Sequence, residues 1–326
     1  AILVRIANSH IRVGTFQYFA ARQMTKEIKI LADYIIERHF KLSLSSKNIY
    51  EKFLMEIIKS QANLISKWMS AGFIHGVMNT DNTCLSGETI DYGPCAFMDI
   101  FDYNKVFSSI DYQGRYSYKN QPNIILWNLT RFAETILPLI DNNLNKSIKK
   151  AEEILNEFAS IYESNWISIM GYKLGINDAN KTDKNLIEEF LTLMQNQQLD
   201  FTNSFYSLSF LIEKDQIEKE GPPKSHRIYS KIKSSDWYAK WTKRLNINKK
   251  NLKKILKTLL INNPSIIPRN HIVEKVLNDA IYENKKDSLN DFLNALNDPY
   301  KLRTFDDPYT KPPSPNEEVT QTFCGT

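Results

Sequence analysis

A mainly α fold with a small β insert is the architecture this sequence predicts, and three observations predict it. Long stretches carry apolar residues at helical spacing. One region, Phe73 to Asp91, breaks instead into short apolar pieces around turn residues. No segment repeats at a fixed period, which excludes a solenoid or an array. At 326 residues, 42% hydrophobic and 12% aromatic, the chain has ample material for a large core.

Taken in order, the apolar positions Phe19, Met24, Ile28, Leu31 and Ile35 predict one long amphipathic helix from Phe16 through Phe40, and Ile49 through Trp68 predicts a second. The pieces "FIHGV" and "TCL", a turn at Ser86 and Gly87, and "ETID" then predict a small hairpin. After Pro94, "CAFMDIFDYNKVFSSIDYQGRYSYKNQP" follows neither period. Pro122 opens a helix, "PNIILWNLTRFAETILPLI", at a place where its missing N–H costs nothing. Helical spacing returns from Asn142 to Leu199, in "NLKKILKTLLI", and in "HIVEKVLNDAIYENKKDSLNDFLNALN". Beyond Pro299, "KPPSPNEE" predicts an extended tail.

The balance of 42 Lys+Arg against 37 Asp+Glu gives +5, with the lysines scattered in pairs such as Lys149-Lys150 and Lys249-Lys250. A nucleic-acid face needs a denser basic block interleaved with aromatics, so no nucleic-acid partner is expected. Cys84, Cys95 and Cys324 lack paired spacing and the 5 histidines lie far apart, which argues against zinc and against a disulfide framework. A reducing compartment follows. No apolar run approaches the roughly 18 residues of a membrane span, so no membrane partner is expected. The opening "AILVRIA" reads as mid-strand and lacks signal-peptide flanks, so the chain is expected to start inside a longer protein.

Chemistry concentrates in "FIHGVMNTDNTCLSGETIDYGP", where aspartates, asparagines and a histidine crowd a stretch with little apolar content. Such a density of acceptors points to a cation. "HGVMNTDN" has the spacing of the protein-kinase catalytic loop H-R-D-x-x-x-x-N at His75 and Asn82, with Val77 where the catalytic aspartate belongs. Asp91-Tyr92-Gly93 follows with the form of the metal-binding D-F-G motif. One Asn82 oxygen and the Asp91 carboxylate suit magnesium, a hard ion that takes its remaining ligands from water and phosphate. With Val77 in the base position, either the site is dead or another group does the work. Asp81, beside Asn82, is then either a replacement base or an Asx-type cap on nearby backbone. His75 is expected to brace the loop.

The strings "RIANSHIRVGTFQYFAAR", "HGVMNTDN", "TIDYGP", "YQGRYSYKNQPNIILWNL", "DFTNSF" and "NNPSIIPRNH" together resemble the selenoprotein O family of kinase-fold protein adenylyltransferases, nearly from first residue to last. The resemblance implies a protein-kinase-like C-lobe with additional C-terminal helices. It implies ATP bound in a flipped orientation and AMP transferred to Ser, Thr or Tyr hydroxyls of protein substrates, with Mg2+, or Mn2+ in its place. Under it Arg5 and Arg12 hold the outer phosphates and Asp81 accepts the hydroxyl proton. Asn82 and Asp91 bind the metal, Asp91 also contributing to the ATP site. Residues 1–140 become the catalytic lobe, 141–299 its helical continuation, and 300–326 a tail carrying Cys324.

The family's N-terminal small lobe, with its glycine-rich loop, lysine and helix glutamate, is not in this sequence, so the 326 residues alone are expected to bind ATP poorly. Cys324 in "TFCGT" sits where the family has a cysteine or selenocysteine and suggests a thiol-linked role, yet Phe107 stands where bacterial members place a partner cysteine. The resemblance places the protein in a bacterial cytoplasm, or in mitochondria if its source is a eukaryote. The rival expectation is an inactive pseudokinase or truncated remnant that serves as an interaction module. An ordinary kinase is disfavoured by Val77.

Overall fold

A computed structural model describes residues 4–42, 44–212 and 227–323. Its helices are α1 (Val13–Ala20), α2 (Thr25–Ile35, continuing into a π-helical turn at Ile36–Phe40), α3 (Ile49–Ala71), α4 (Gln121–Ile140), α5 (Leu144–Lys173), α6 (Lys184–Gln197), α7 (Phe201–Ile212), α8 (Arg227–Lys233), α9 (Asp236–Leu245), α10 (Leu252–Asn262), α11 (Asn270–Tyr282) and α12 (Asp287–Leu296). Two short strands, β1 (Phe73–Ile74) and β2 (Ala96–Phe97), pair antiparallel, Phe73 opposite Phe97 and Ile74 opposite Ala96. The fold is thus mostly helical with a small two-stranded sheet.

Three expectations need correction. The helix expected from Phe16 through Phe40 is two helices, because the chain turns at Ala21–Met24 with Gln23 in the left-handed region. On a straight helix Phe16 would lie about 120° around the axis from Ile28 at 100° per residue. The turn lets Phe16 and the Ile28, Ala32, Ile35 stripe reach one core. The long run from His271 likewise splits into α11 and α12 at Glu283–Lys286, so that Ile272, Val276 and Phe292 bury one another.

The hairpin is also built differently. Ser86 and Gly87 do make a turn, with the Gly87 N–H donating to the Cys84 carbonyl at 3.1 Å, but "TCL" and "ETID" do not pair. β1 takes its partner from beyond Pro94, and the Thr83–Leu85 stretch pairs with the segment before α1 instead. Both partners lie outside the local stretch, so alternation over a few residues cannot encode the choice.

The core has two bodies. One gathers α1 to α4 around Phe16, Phe53, Ile57 and Phe132. The other gathers α6, α7, α9 and α10 around Phe190, Phe205, Trp237 and Trp241. Helix α5 serves both, giving Ala151 and Phe158 to the first and Trp166, Ile167 and Met170 to the second. α7 has no exposed face, Phe201 through Leu211 all being buried, so it lacks the solvent-facing stripe by which a helix is recognised.

Three features attach the β insert to this frame. Gly72 ends α3 at φ +68, and a Cβ there would lie 2.8 Å from the Phe201 ring, so the position needs glycine on two counts. Asp99, Ile100 and Phe101 run beside Leu199, Asp200 and Phe201, with Phe201 N–H donating to the Asp99 carbonyl at 2.7 Å. Arg269, fully buried, bonds the Asp99 and Asp200 carboxylates together, Asp200 at 2.7 Å, and reaches the Thr310 carbonyl at 3.2 Å. Burial pushes the Asp99 carboxyl up to about 6 against the pull of Arg269.

Past α12 the chain runs without further helix or strand among the described residues and straps back over the insert. The Thr322 N–H donates to the Phe107 carbonyl (2.7 Å), the Ser109 N–H to the Thr322 carbonyl (3.0 Å), and Lys105 pairs with Glu318 at 3.1 Å. Cys324 lies outside the described residues.

Candidate functional site

The loop after β1 is held from three sides by its own polar residues. Asn79 accepts the Asn82 N–H at 3.0 Å and caps the 3-10 turn Thr80–Asn82. His75, fully buried, faces the Ile90 carbonyl through Nε2 at 2.8 Å, and its Nδ1 lies 3.4 Å from the Val77 N–H. Burial lowers its pKa, which keeps it neutral with Nε2–H donating and Nδ1 accepting. The ring therefore ties the loop to the residue before Asp91, the bracing role expected of it. From α4, Gln121 accepts the His75 N–H (3.0 Å) and donates to the Phe73 carbonyl (2.8 Å). Seven residues on, on the same helix, Asn128 donates to the Met78 carbonyl (3.0 Å) and to Thr83 Oγ1 (2.8 Å).

Gln121 and Asn128 are the supports that sequence reasoning missed. Two amides seven residues apart, among the apolar positions of one helical stretch, were the available signal, because amides on a buried face must find partners and loop backbone supplies them.

The segment before α1 enters as a short edge beside the loop. Val13 N–H donates to the Thr83 carbonyl and Leu85 N–H to the Ile11 carbonyl, both at 3.0 Å, with Arg12 opposite Cys84. This pairing sets the first turn of α1 against Asp81. A Cβ on Gly14 would stand 1.9 Å from Asp81 Oδ1, so the carboxylate occupies the space a side chain would take. Negative charge is favoured at a helix N-terminus. Among the described residues the exposed Asp81 carboxylate accepts no hydrogen bond; Asn79 does the capping that an Asx reading would have given to Asp81.

Asn82 donates its Nδ2 to the Val77 carbonyl at 2.9 Å, which leaves Oδ1 as the atom open to a cation. Asp91 adopts φ +57, unusual for a residue with a side chain. Both its oxygens meet arginine: Oδ1 pairs with Arg5 Nη1 and Oδ2 lies 3.1 Å from Arg12 Nη2. Arg12 Nε is buried without an acceptor. No hydrogen bond joins Asp81 or Asn82 directly to Asp91 among the described residues; His75 and the Ile11–Val13 edge connect the two halves.

A metal fits this donor set only with outside help. Among the described residues no group of three His, Cys, Asp or Glu could hold an ion. Asn82 Oδ1 and Asp91 offer hard oxygens, the number of protein ligands magnesium tolerates when phosphate and water complete its shell. The orphaned Arg12 Nε is a donor suited to an anion beside it.

Arg115, Cys84 and Cys95 stay outside this donor set. Arg115 stacks on Trp127, its guanidinium carbon 5.0 Å from the ring centre. Cys84 is buried with Sγ donating to the Ser9 carbonyl at 3.0 Å, and burial pushes the Cys95 thiol up to about 11, far from a reactive thiolate.

Residues 1–297 match the family described as "Protein adenylyltransferase SelO". A "Protein nucleotidyltransferase YdiU" of Clostridium botulinum (strain 657 / Type Ba4) is 46% identical over 326 residues, covering 100% of this chain and 64% of its own length. Its counterpart in Clostridium perfringens (strain ATCC 13124) is 47% identical over 328 residues with the same coverage. The chain thus spans 64% of the length of the curated relatives it matches. No helix among the described residues is long and apolar enough to cross a membrane.

Proposed function

The chain belongs to the SelO family of protein adenylyltransferases, and from that membership and the geometry of its polar loop we propose that it is the kinase-like larger lobe of an enzyme that moves AMP from ATP to protein hydroxyls. Residues 1–140 carry the chemistry in this reading, 141–299 continue the lobe, and 300–326 form the tail. Its setting is a bacterial cytoplasm, in keeping with the clostridial relatives.

The observation that carries the proposal is the division of labour around Asp91 and Asp81. Arg5 and Arg12 converge on one carboxylate while Asp81, ten residues earlier in the chain, is unbonded and exposed. A group that must take a proton needs a free lone pair, and groups that must grip phosphate need bidentate donors in one place. Asp81 accepts the proton of the attacking Ser, Thr or Tyr hydroxyl. That oxygen bonds to the α-phosphorus as the bond to the β-phosphate oxygen breaks, and pyrophosphate leaves. Arg5 and Arg12 exchange Asp91 for the outer phosphates of a nucleotide bound in the flipped orientation, where the leaving group gathers charge. Mg2+, or Mn2+, on Asn82 Oδ1 and Asp91 supplies further charge neutralisation when bound.

The test is to incubate the full chain, as its gene encodes it, with magnesium and ATP labelled at either the α- or the γ-phosphate, beside Asp81→Ala and Asp91→Ala. The expected result is protein labelling from the α-position alone, abolished by both substitutions. Transfer of the γ-label would make this a kinase. Transfer of neither, with no shift in melting temperature on adding ATP, would make it an interaction module.

A further inference from the structure

Lys173, in the last turn of α5, is 5% exposed, and among the described residues no carboxylate or hydrogen-bond acceptor meets its Nζ. Its neighbours are rings: Nζ lies 4.5 Å from the centre of Phe205 and 5.8 Å from that of Phe201. Aromatic faces soften a buried ammonium but do not neutralise it. No charged group perturbs it, and burial alone lowers its pKa to about 7. Buried lysines are ordinarily paired, so an unpaired one needs a reason.

The reason adjoins it. Lys173 lines a cavity of about 390 Å³ whose other walls include Phe97, Phe201, Ile266, Ile267 and Pro268. This is the size of a small-ligand site, which characteristically combines apolar walls with one or two polar groups. Thr202, buried, is a second polar wall residue, and Tyr300, 49% exposed, stands at the solvent side.

We propose that this cavity binds a small apolar carboxylate, of medium-chain fatty-acid size, with its headgroup on Lys173 and its tail against the apolar walls. One ammonium matches one carboxylate charge. A phosphate would bring further charge and acceptors that one lysine and one threonine cannot satisfy, and a neutral apolar ligand would leave the cation uncompensated. The cavity adjoins β2 through Phe97 and shares no residue with the Asp81 and Asp91 site. The inference therefore stands apart from the nucleotide chemistry.

Octanoate is the probe. Titration of the full chain, followed by the carboxyl signal of 13C-labelled octanoate, is expected to show one saturable site, with 1-octanol at least tenfold weaker. Lys173→Met keeps the apolar stem and is expected to lose octanoate binding at least tenfold while remaining folded by circular dichroism. Octanol binding as tightly as octanoate, equal octanoate affinity in Lys173→Met, or no saturation at millimolar octanoate would each overturn the proposal. The octanol comparison uses the unmodified protein and so decides the matter even if the variant does not fold.

Discussion

The position of the Asp81 carboxylate is determined by a hydrogen atom on a different residue. Gly14 leaves open the volume that Asp81 Oδ1 fills, and alanine there would force the carboxylate aside. Alanine is also the better helix former, by up to about 1 kcal/mol. Gly14→Ala is thus expected to leave the melting temperature unchanged or raised while AMP transfer falls at least tenfold; full activity would show that Asp81 is not the proton acceptor or tolerates displacement. At this scale the sequence was partly readable. Motif spacing singled out Asn82 and Asp91 and left Asp81 open between base and cap, and the structure hands the cap to Asn79. The pairing of Arg5 and Arg12 with Asp91 was unreadable from spacing, since roughly eighty residues separate partners whose meeting depends on the Ile11–Val13 edge.

Helix α4 acts on the loop as a rail, presenting Gln121 and Asn128 on one face at a two-turn interval. Gln121→Leu removes the acceptor for the buried His75 N–H and the donor to the Phe73 carbonyl. Leaving such groups unpaired costs about 1–3 kcal/mol each. Urea denaturation of this variant should show a loss of roughly 2–4 kcal/mol, and a loss below about 0.5 kcal/mol would mean that water replaces the amide without penalty. Elements with one apolar stripe, α3, α4 and α6 among them, were legible from period alone. Those the sequence hid had physical reasons to be hidden: α7 is buried on every side, and the break between α1 and α2 answers a core that no local window contains.

Stability of the whole molecule should depend on pH through Lys173. Its folded pKa of about 7 lies below its ordinary 10.5, so between those values the unfolded chain binds more protons and stability rises with pH. The penalty is fully present below the folded value and gone above the ordinary one. Its upper bound is about 5 kcal/mol at 1.4 kcal/mol per pH unit, reduced by local relaxation. Lys173→Met is expected to be more stable than the parent by about 1–3 kcal/mol near pH 6, with the advantage fading toward pH 10. A gap that does not change with pH would show that the ammonium has found a counter-charge. The mostly helical class was legible from composition and period, whereas the two-bodied core bridged by α5 was not, because it is a property of contacts between distant segments.

The strap that pairs Thr322 with Ser108 closes a loop of well over half the chain. Loop-closure entropy makes such pairings late arrivals, formed only when most of the intervening chain is already ordered. The stretch following Asp91 therefore completes its backbone partners near the end of folding, and a nascent chain still emerging at residue 300 lacks them. A chain stalled before that point would carry every proposed site residue while lacking the backbone partners that Thr322 gives to Phe107 and Ser109.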